Sequence, residues 1–161
     1  MRRNTILMSK MALSAALVLT AGGVFADQAS DIAEVKAADV AFHAALSAMD
    51  AKAMAAVWAD KPYVTNIGPS SKTIAVGYAE AVTEWMAKVV PGRFSELKAQ
   101  MTSVSSLEVN GNIAWVVGVE NASGKDKAGE PLAFDLLVTN IYEKMGDKWL
   151  MVSHHAQRPP K

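Results

Sequence analysis

The chain contains no cysteine among its 161 residues, which excludes a disulfide framework. It has only three histidines, and no run of like charge occurs anywhere in it. A nucleic-acid partner needs a basic face to neutralise phosphate, and nothing here supplies one. No glycine-rich nucleotide loop, internal repeat or domain linker is visible. With no covalent staple, stability has to come from burial.

What is present begins with an address. Arg2, Arg3 and Lys10 form a basic start, and the stretch from Met11 to Ala26 is uncharged. Val24-Phe25-Ala26 fits the small-x-small cleavage pattern, so residues 1–26 are expected to be a signal peptide and Asp27 the new N-terminus. The uncharged stretch is shorter than the roughly 20 residues a spanning helix needs, which argues against a retained anchor. A periplasmic destination through the general secretory route follows. The three leader cations leave with it: of 16 basic residues 13 remain against 16 acidic ones, a net charge near −3. Residues 27–161 suffice for one hydrophobic core and are expected to form one domain.

From Ser30 onward Ile32, Val35, Asp39, Phe42, Leu46 and Met49 step by three and four, the stripe of an amphipathic helix. Asp39 is the anomaly in that stripe. His43 follows one turn later, near enough to meet it. Asp50 is placed to cap a short helix over Ala51–Trp58. Pro62–Ile67 and Thr73–Val76 read as two short strands around Gly68-Pro69-Ser70-Ser71. A third helix is expected from Gly77 to Val90, with Tyr78, Ala81, Val82, Trp85 and Val89 inward and Pro91-Gly92 as its stop. Strands then follow over Phe94–Val109, Ile113–Ser123, Leu132–Tyr142 and Trp149–Val152, with Asn110-Gly111 as a two-residue turn. The order predicts one α+β domain: three helices N-terminal to the main strands, and a curved, cone-shaped antiparallel sheet wrapped around the long helix.

Several segments carry a family resemblance. Trp58-Ala59-Asp60, Ile67-Gly68-Pro69, Val76-Gly77, Ile113-Ala114-Trp115-Val116 and Lys148 through Ala156 resemble the SnoaL-like and ketosteroid isomerase-like branch of the nuclear transport factor 2-like superfamily, over essentially all of residues 31–157. The resemblance implies a cone-shaped cavity, no cofactor, and dimerisation through the outer sheet face. Ketosteroid isomerases carry an aspartate base at the position where this chain has Asn66, and no Asp or Glu lies between Asp60 and Glu80. An amide takes no proton at neutral pH, so the resemblance argues for the pocket and against that reaction.

The candidate site therefore rests on other residues. Asp39 and His43 are the acid/base candidates, against a reading in which Asp39 is simply solvated. His154 and His155 are strand neighbours and must face opposite ways. The resemblance favours His155 for the cavity, and His155 or Asn66 is the candidate polariser of a carbonyl. Tyr78, Trp85 and Trp115 are candidate ligand-binding walls, against a reading as core filling, and Trp85 is the one expected at the cavity. A metal would require Asp39, His43 and His155 to converge, and none is expected. Both sides of the last strands are apolar, so one face should cover the helix and the other a second copy of the chain. The expected ligand is a small, largely apolar or carbonyl-containing molecule. It is either turned over by cofactor-free proton transfer or held by a non-catalytic binding or interaction module. Replacing Asp39 with Leu is expected to relieve a buried charge and stabilise the fold.

Overall fold

The computed structural model describes residues 22–160, with side chains from residue 28 onward. The basic start of the expected leader and most of its uncharged run lie outside the described residues. Among the described residues no helix is long and apolar enough to cross a membrane.

Helix α1 spans Gly22–Ser47 and starts earlier than the periodicity alone indicates. Its stripe is buried as expected, with Val35, Phe42 and Leu46 at 0, 0 and 5% exposure. Each such side chain contributes about 1.5–3 kcal/mol of burial. Helix α2, Ala51–Val57, opens on Asp50, whose Oδ1 accepts from the amides of Lys52 and Ala53 at 2.9 and 3.0 Å. Such a cap is worth about 1 kcal/mol. Two short strands follow, β1 (Thr65–Ile67) and β2 (Ala75–Val76), paired antiparallel.

The third helical unit departs from expectation. Residues Ala79–Val89 are wound as a π-helix, and the Val90 amide reaches back to the Trp85 carbonyl. Pro91 does not stop the chain. It falls in the first turn of α3 (Val90–Arg93), where a missing amide hydrogen costs nothing.

Four long strands complete the chain: β3 (Phe94–Asn110), β4 (Ile113–Asp126), β5 (Pro131–Met145) and β6 (Lys148–Gln157). Asn110 pairs with Ile113, so the first tight turn is Gly111-Asn112, one place later than expected. Gly111 takes the positive φ of 62° that such turns demand. The sheet order is β2-β1-β6-β5-β4-β3, antiparallel throughout except that β1 runs parallel to β6.

The curvature has local causes. Strand β3 carries three register shifts against β4, and Gly118 and Gly124 of β4 pair with Val104 and Leu97 close beside them. A Cβ at Gly118 would lie 2.1 Å from the Ser103 carbonyl oxygen, and one at Gly124 the same distance from that of Glu96. Bulges bend a strand, and the missing side chains let β3 fold in close. The sheet thus curls over α1, with Val35, Phe42, Met54, Trp58, Tyr142 and Met151 in one core cluster beneath it.

Candidate active site

On β4 the inward row is Ala114, Val116, Gly118, Glu120 and Ala122, all buried. Glu120 is a carboxylate in an apolar row, 3% exposed. On β5 the inward row is Leu136, Val138, Asn140 and Tyr142. On β6 strict alternation would put His155 on the face of Trp149 and Met151, but the pairing slips between Ile141 and Tyr142. Ile141 faces Ser153 while Tyr142 faces Met151, so Val152 is an extra residue. Beyond it the faces exchange, and His154 joins Trp149 and Met151 inside.

These rows and α1 bring six polar side chains together. His43 Nδ1 lies 2.7 Å from the Asp39 carbonyl oxygen, which can only accept, so Nδ1 carries a proton. The Asp39 carboxylate Oδ2 is 3.4 Å from the same nitrogen. His43 Nε2 lies 3.1 Å from Glu120 Oε2. Asp39 Oδ1 accepts from Asn140 Nδ2 and from the Tyr142 hydroxyl, both at 2.8 Å. The Asn140 amide is thereby oriented, and its Oδ1 must accept from His154 Nδ1 at 2.7 Å. A continuous chain results, from Glu120 through His43, Asp39 and Asn140 to His154. Its direction puts a proton on His154 Nδ1, so in the neutral ring Nε2 is the acceptor.

Burial opposes charge on His43, but the contacts with Asp39 and Glu120 outweigh it and push its pKa up to about 10. Burial likewise opposes charge on Asp39, and the hydrogen bond and charge of His43, then Asn140 and Tyr142, hold it below the ordinary carboxylate value. The Tyr142 hydroxyl is driven well up by burial and by Asp39, so it remains a donor. His154 is pushed down to about 4, chiefly by burial. The centre therefore holds a histidine cation between carboxylates and, at the other end, a neutral histidine.

A cavity of about 440 Å³ opens beside this chain, within the range of small-molecule sites. Leu46, Trp85, Phe94, Leu97, Phe134 and Leu136 form its apolar wall, and Glu120 and His154 are the buried polar groups on it. Asp39 and His43, expected to line the cavity, sit one layer behind and act on it through Glu120 and Asn140. Trp85 is on the wall as expected. It packs with Phe42 and His154, at centroid distances of 6.5 and 6.2 Å.

Four expectations are corrected. His155 is exposed on the outer face, because of the extra residue in β6, and cannot polarise anything in the cavity. Trp115 belongs to the alternate set of β4 with Val117 and Val119, on the face opposite Glu120. Tyr78 packs half-buried against the core and is not on the main cavity wall. Asn66 is buried at a smaller recess of about 210 Å³, but its Nδ2 already donates to the Ala81 carbonyl at 2.9 Å. One hydrogen of that amide is committed to the backbone, and Asn66 is not on the wall of the main cavity. Its Oδ1, buried without a protein partner, offers an acceptor. With His155 outside, it does not converge with Asp39 and His43, and no group of three or more His, Asp or Glu side chains among the described residues is arranged to hold a metal ion.

Sequence reading missed Glu120, Tyr142 and the ordering role of Asn140. A signal for Glu120 existed: alternation through Ile113–Ala122 puts this carboxylate in step with Ala114 and Val116, the same anomaly that singled out Asp39.

Comparison with known proteins agrees with the fold. Residues 35–159 match the SnoaL-like domain family. The chain belongs to that family, within the nuclear transport factor 2-like superfamily. No curated protein matches it. Among solved structures it is similar to a proposed dehydratase of the NTF2-like family from Streptomyces avermitilis, with 21% identity, TM-score 0.72, and 83% of this chain and 99% of that one covered. It is also similar to a proposed calcium/calmodulin-dependent protein kinase type II association domain from Thiobacillus denitrificans, with 27% identity, TM-score 0.65 and coverage of 78 and 94%. Hexachlorocyclohexane dehydrochlorinase LinA-type3 from Novosphingobium barchaimii shows 14% identity, TM-score 0.70 and coverage of 82 and 88%.

Proposed function

We propose that this SnoaL-like protein takes a small, largely apolar molecule into its cavity and moves a proton on it without a cofactor, with Glu120 as the base. The observation that carries this reading is a buried carboxylate facing an apolar cavity with a histidine cation held behind it. Glu120 removes a proton from a carbon acidified by a neighbouring carbonyl or leaving group. The C–H bond breaks, its electron pair moves toward the new double bond, and the proton rests on Glu120. Returning that proton to a second carbon completes an isomerisation, and departure of an anionic leaving group completes an elimination. His43 hydrogen-bonds and orients Glu120, Asp39 holds His43 in place, and His154 Nε2 accepts a hydrogen bond from a substrate hydroxyl. The names of two structural neighbours, a dehydrochlorinase and a proposed dehydratase, are in keeping with elimination chemistry.

In the same reading the protein is exported, is processed after Ala26 and works in the periplasm as a homodimer. The motives are the basic and uncharged leader and the apolar outer face, where Leu137 is 40% exposed. Leu137→Lys should yield folded monomers by light scattering, and a folded dimer would contradict the sheet-face pairing.

The experiment for the chemistry is hydrogen–deuterium exchange at carbon, followed by NMR, over a panel of apolar ketones and β-substituted carbonyl compounds in heavy water. The wild type should exchange at least one of them above buffer, and Glu120→Gln should lower that rate by at least about 100-fold. Equal rates in the two proteins would refute Glu120 as the base. A second reading, a non-catalytic interaction module, draws on the 27% identity with the kinase association domain. It predicts binding with no exchange.

A further inference from the structure

The same cavity carries a second kind of group at its other end. Glu120 and His154 are buried, whereas Arg93 and Arg158 are exposed lining residues and mark the mouth. Both arginines are positioned. Arg93 ends α3 and donates from Nη2 to the Ser70 hydroxyl on the β1–β2 loop at 2.9 Å. The Arg158 guanidinium lies over the Phe134 ring, 4.4 Å from its centroid, and Phe134 is itself part of the cavity wall. Neither arginine makes an ion pair among the described residues, whereas Lys88, Lys125 and Lys144 are each paired with a carboxylate. The carboxylate at this rim, Asp126, is occupied within its own turn, accepting from the amides of Ala128 and Glu130.

We infer that the ligand is an amphipathic acid, with an apolar body in the cavity and a carboxylate at the mouth held by Arg93 and Arg158. A guanidinium presents paired donors that match a carboxylate, and fixing it on a hydroxyl or a ring reduces the freedom lost on binding. The chain carries a net negative charge once the leader is discounted, so two unpaired cations on one cavity are a local reversal of its overall sign. The acid group at the mouth directs the far end of the molecule toward Glu120 and His154. This rests on the reading of the cavity as a substrate site and narrows its substrate class.

The test is calorimetric titration of the full chain with decanoate and with its methyl ester, which has the same apolar body without the charge. The acid should bind at least about tenfold more tightly than the ester, and added salt should erode the difference. Arg93→Gln and Arg158→Gln should each weaken decanoate binding by about three- to tenfold and leave the ester unaffected. The double variant should show no preference between them. Melting curves confirm that each variant is folded, and the single variants read the same preference if the double one is not. Equal affinity of the wild type for acid and ester, or a preference that survives in the double variant, would overturn the inference. Glu120→Gln separates this from the proton-transfer reading, because it should abolish exchange while keeping the preference for the acid. Exchange lost with the preference intact supports both readings. A preference for the acid in a protein that exchanges nothing removes the chemistry and leaves the headgroup site.

Discussion

His43 and His154 are both buried, both packed on Phe42 and both close to carboxylates, yet their pKa values move apart, to about 10 and about 4. Burial opposes charge on each and prevails at His154, whereas at His43 the first contacts overcome it. His43 meets Asp39 and Glu120 directly, whereas His154 meets the oxygen of an amide whose nitrogen is spent on Asp39. One neutral residue, Asn140, passes on the orientation set by Asp39 without passing on its charge. Asp39 thereby helps Glu120 hold one histidine as a cation and, through Asn140, orients the other, which burial keeps neutral.

The comparison breaks most severely at Asp39. Replacement by Leu would strand the His43 cation with Glu120 alone and leave the donors of Asn140 and Tyr142 unsatisfied. The expected loss is about 3–5 kcal/mol in denaturant unfolding, the reverse of what the sequence alone suggested. The gain expected from restoring the apolar stripe is outweighed because the Asp39 carboxylate accepts from Asn140 and Tyr142 and pairs with the His43 cation, and is not an unpaired charge.

His154→Leu is the next largest change. It removes the donor to Asn140 Oδ1 and should cost about 1–3 kcal/mol. It should also alter the pH profile. His43 has its pKa raised in the folded state, so its contribution is fully present below about 6.5, the ordinary histidine value, and is lost as pH rises toward about 10. His154 has its pKa lowered, so the unfolded chain takes up the proton first, and stability is lost as pH falls from about 6.5 toward about 4. Stability in the wild type should be greatest near pH 6.5. His154→Leu should flatten the fall between pH 6.5 and 4 and leave the alkaline limb intact, as followed by melting temperature across pH.

The smallest effect belongs to the third histidine. His155 is exposed on the outer face, and His155→Gln should change stability by no more than about 0.5 kcal/mol and leave carbon exchange unaltered. A large loss of exchange on this change would reinstate it as a cavity residue and contradict the bulge in β6.

The order of elements, the long helix with its buried stripe, the Asp50 cap and the four final strands were legible because each follows from local periodicity and turn chemistry. Asp39 with His43 one turn on was legible as an anomaly in that pattern. The rest depended on what crosses between strands. Period-two reasoning fails at one extra residue, and Val152 is enough to exchange His154 for His155. Asn66 was visible as a candidate, but its role turned on which amide atom the Ala81 carbonyl occupies, a contact fifteen residues away in the chain. Glu120 meets His43 across 77 residues, so only the folded sheet joins them. The π-winding ahead of Pro91 had no sequence signal that we can identify.

Ring-nitrogen NMR of the three histidines at neutral pH tests most directly whether the centre holds one buried histidine as a cation and the other as a neutral acceptor. His43 should show protons on both nitrogens at neutral pH and titrate with a midpoint near 10. His154 should carry its proton on Nδ1 alone and stay neutral down to about pH 4. A neutral His43 at pH 7, titrating near the ordinary value, would contradict the histidine cation behind Glu120 and with it the proposed base.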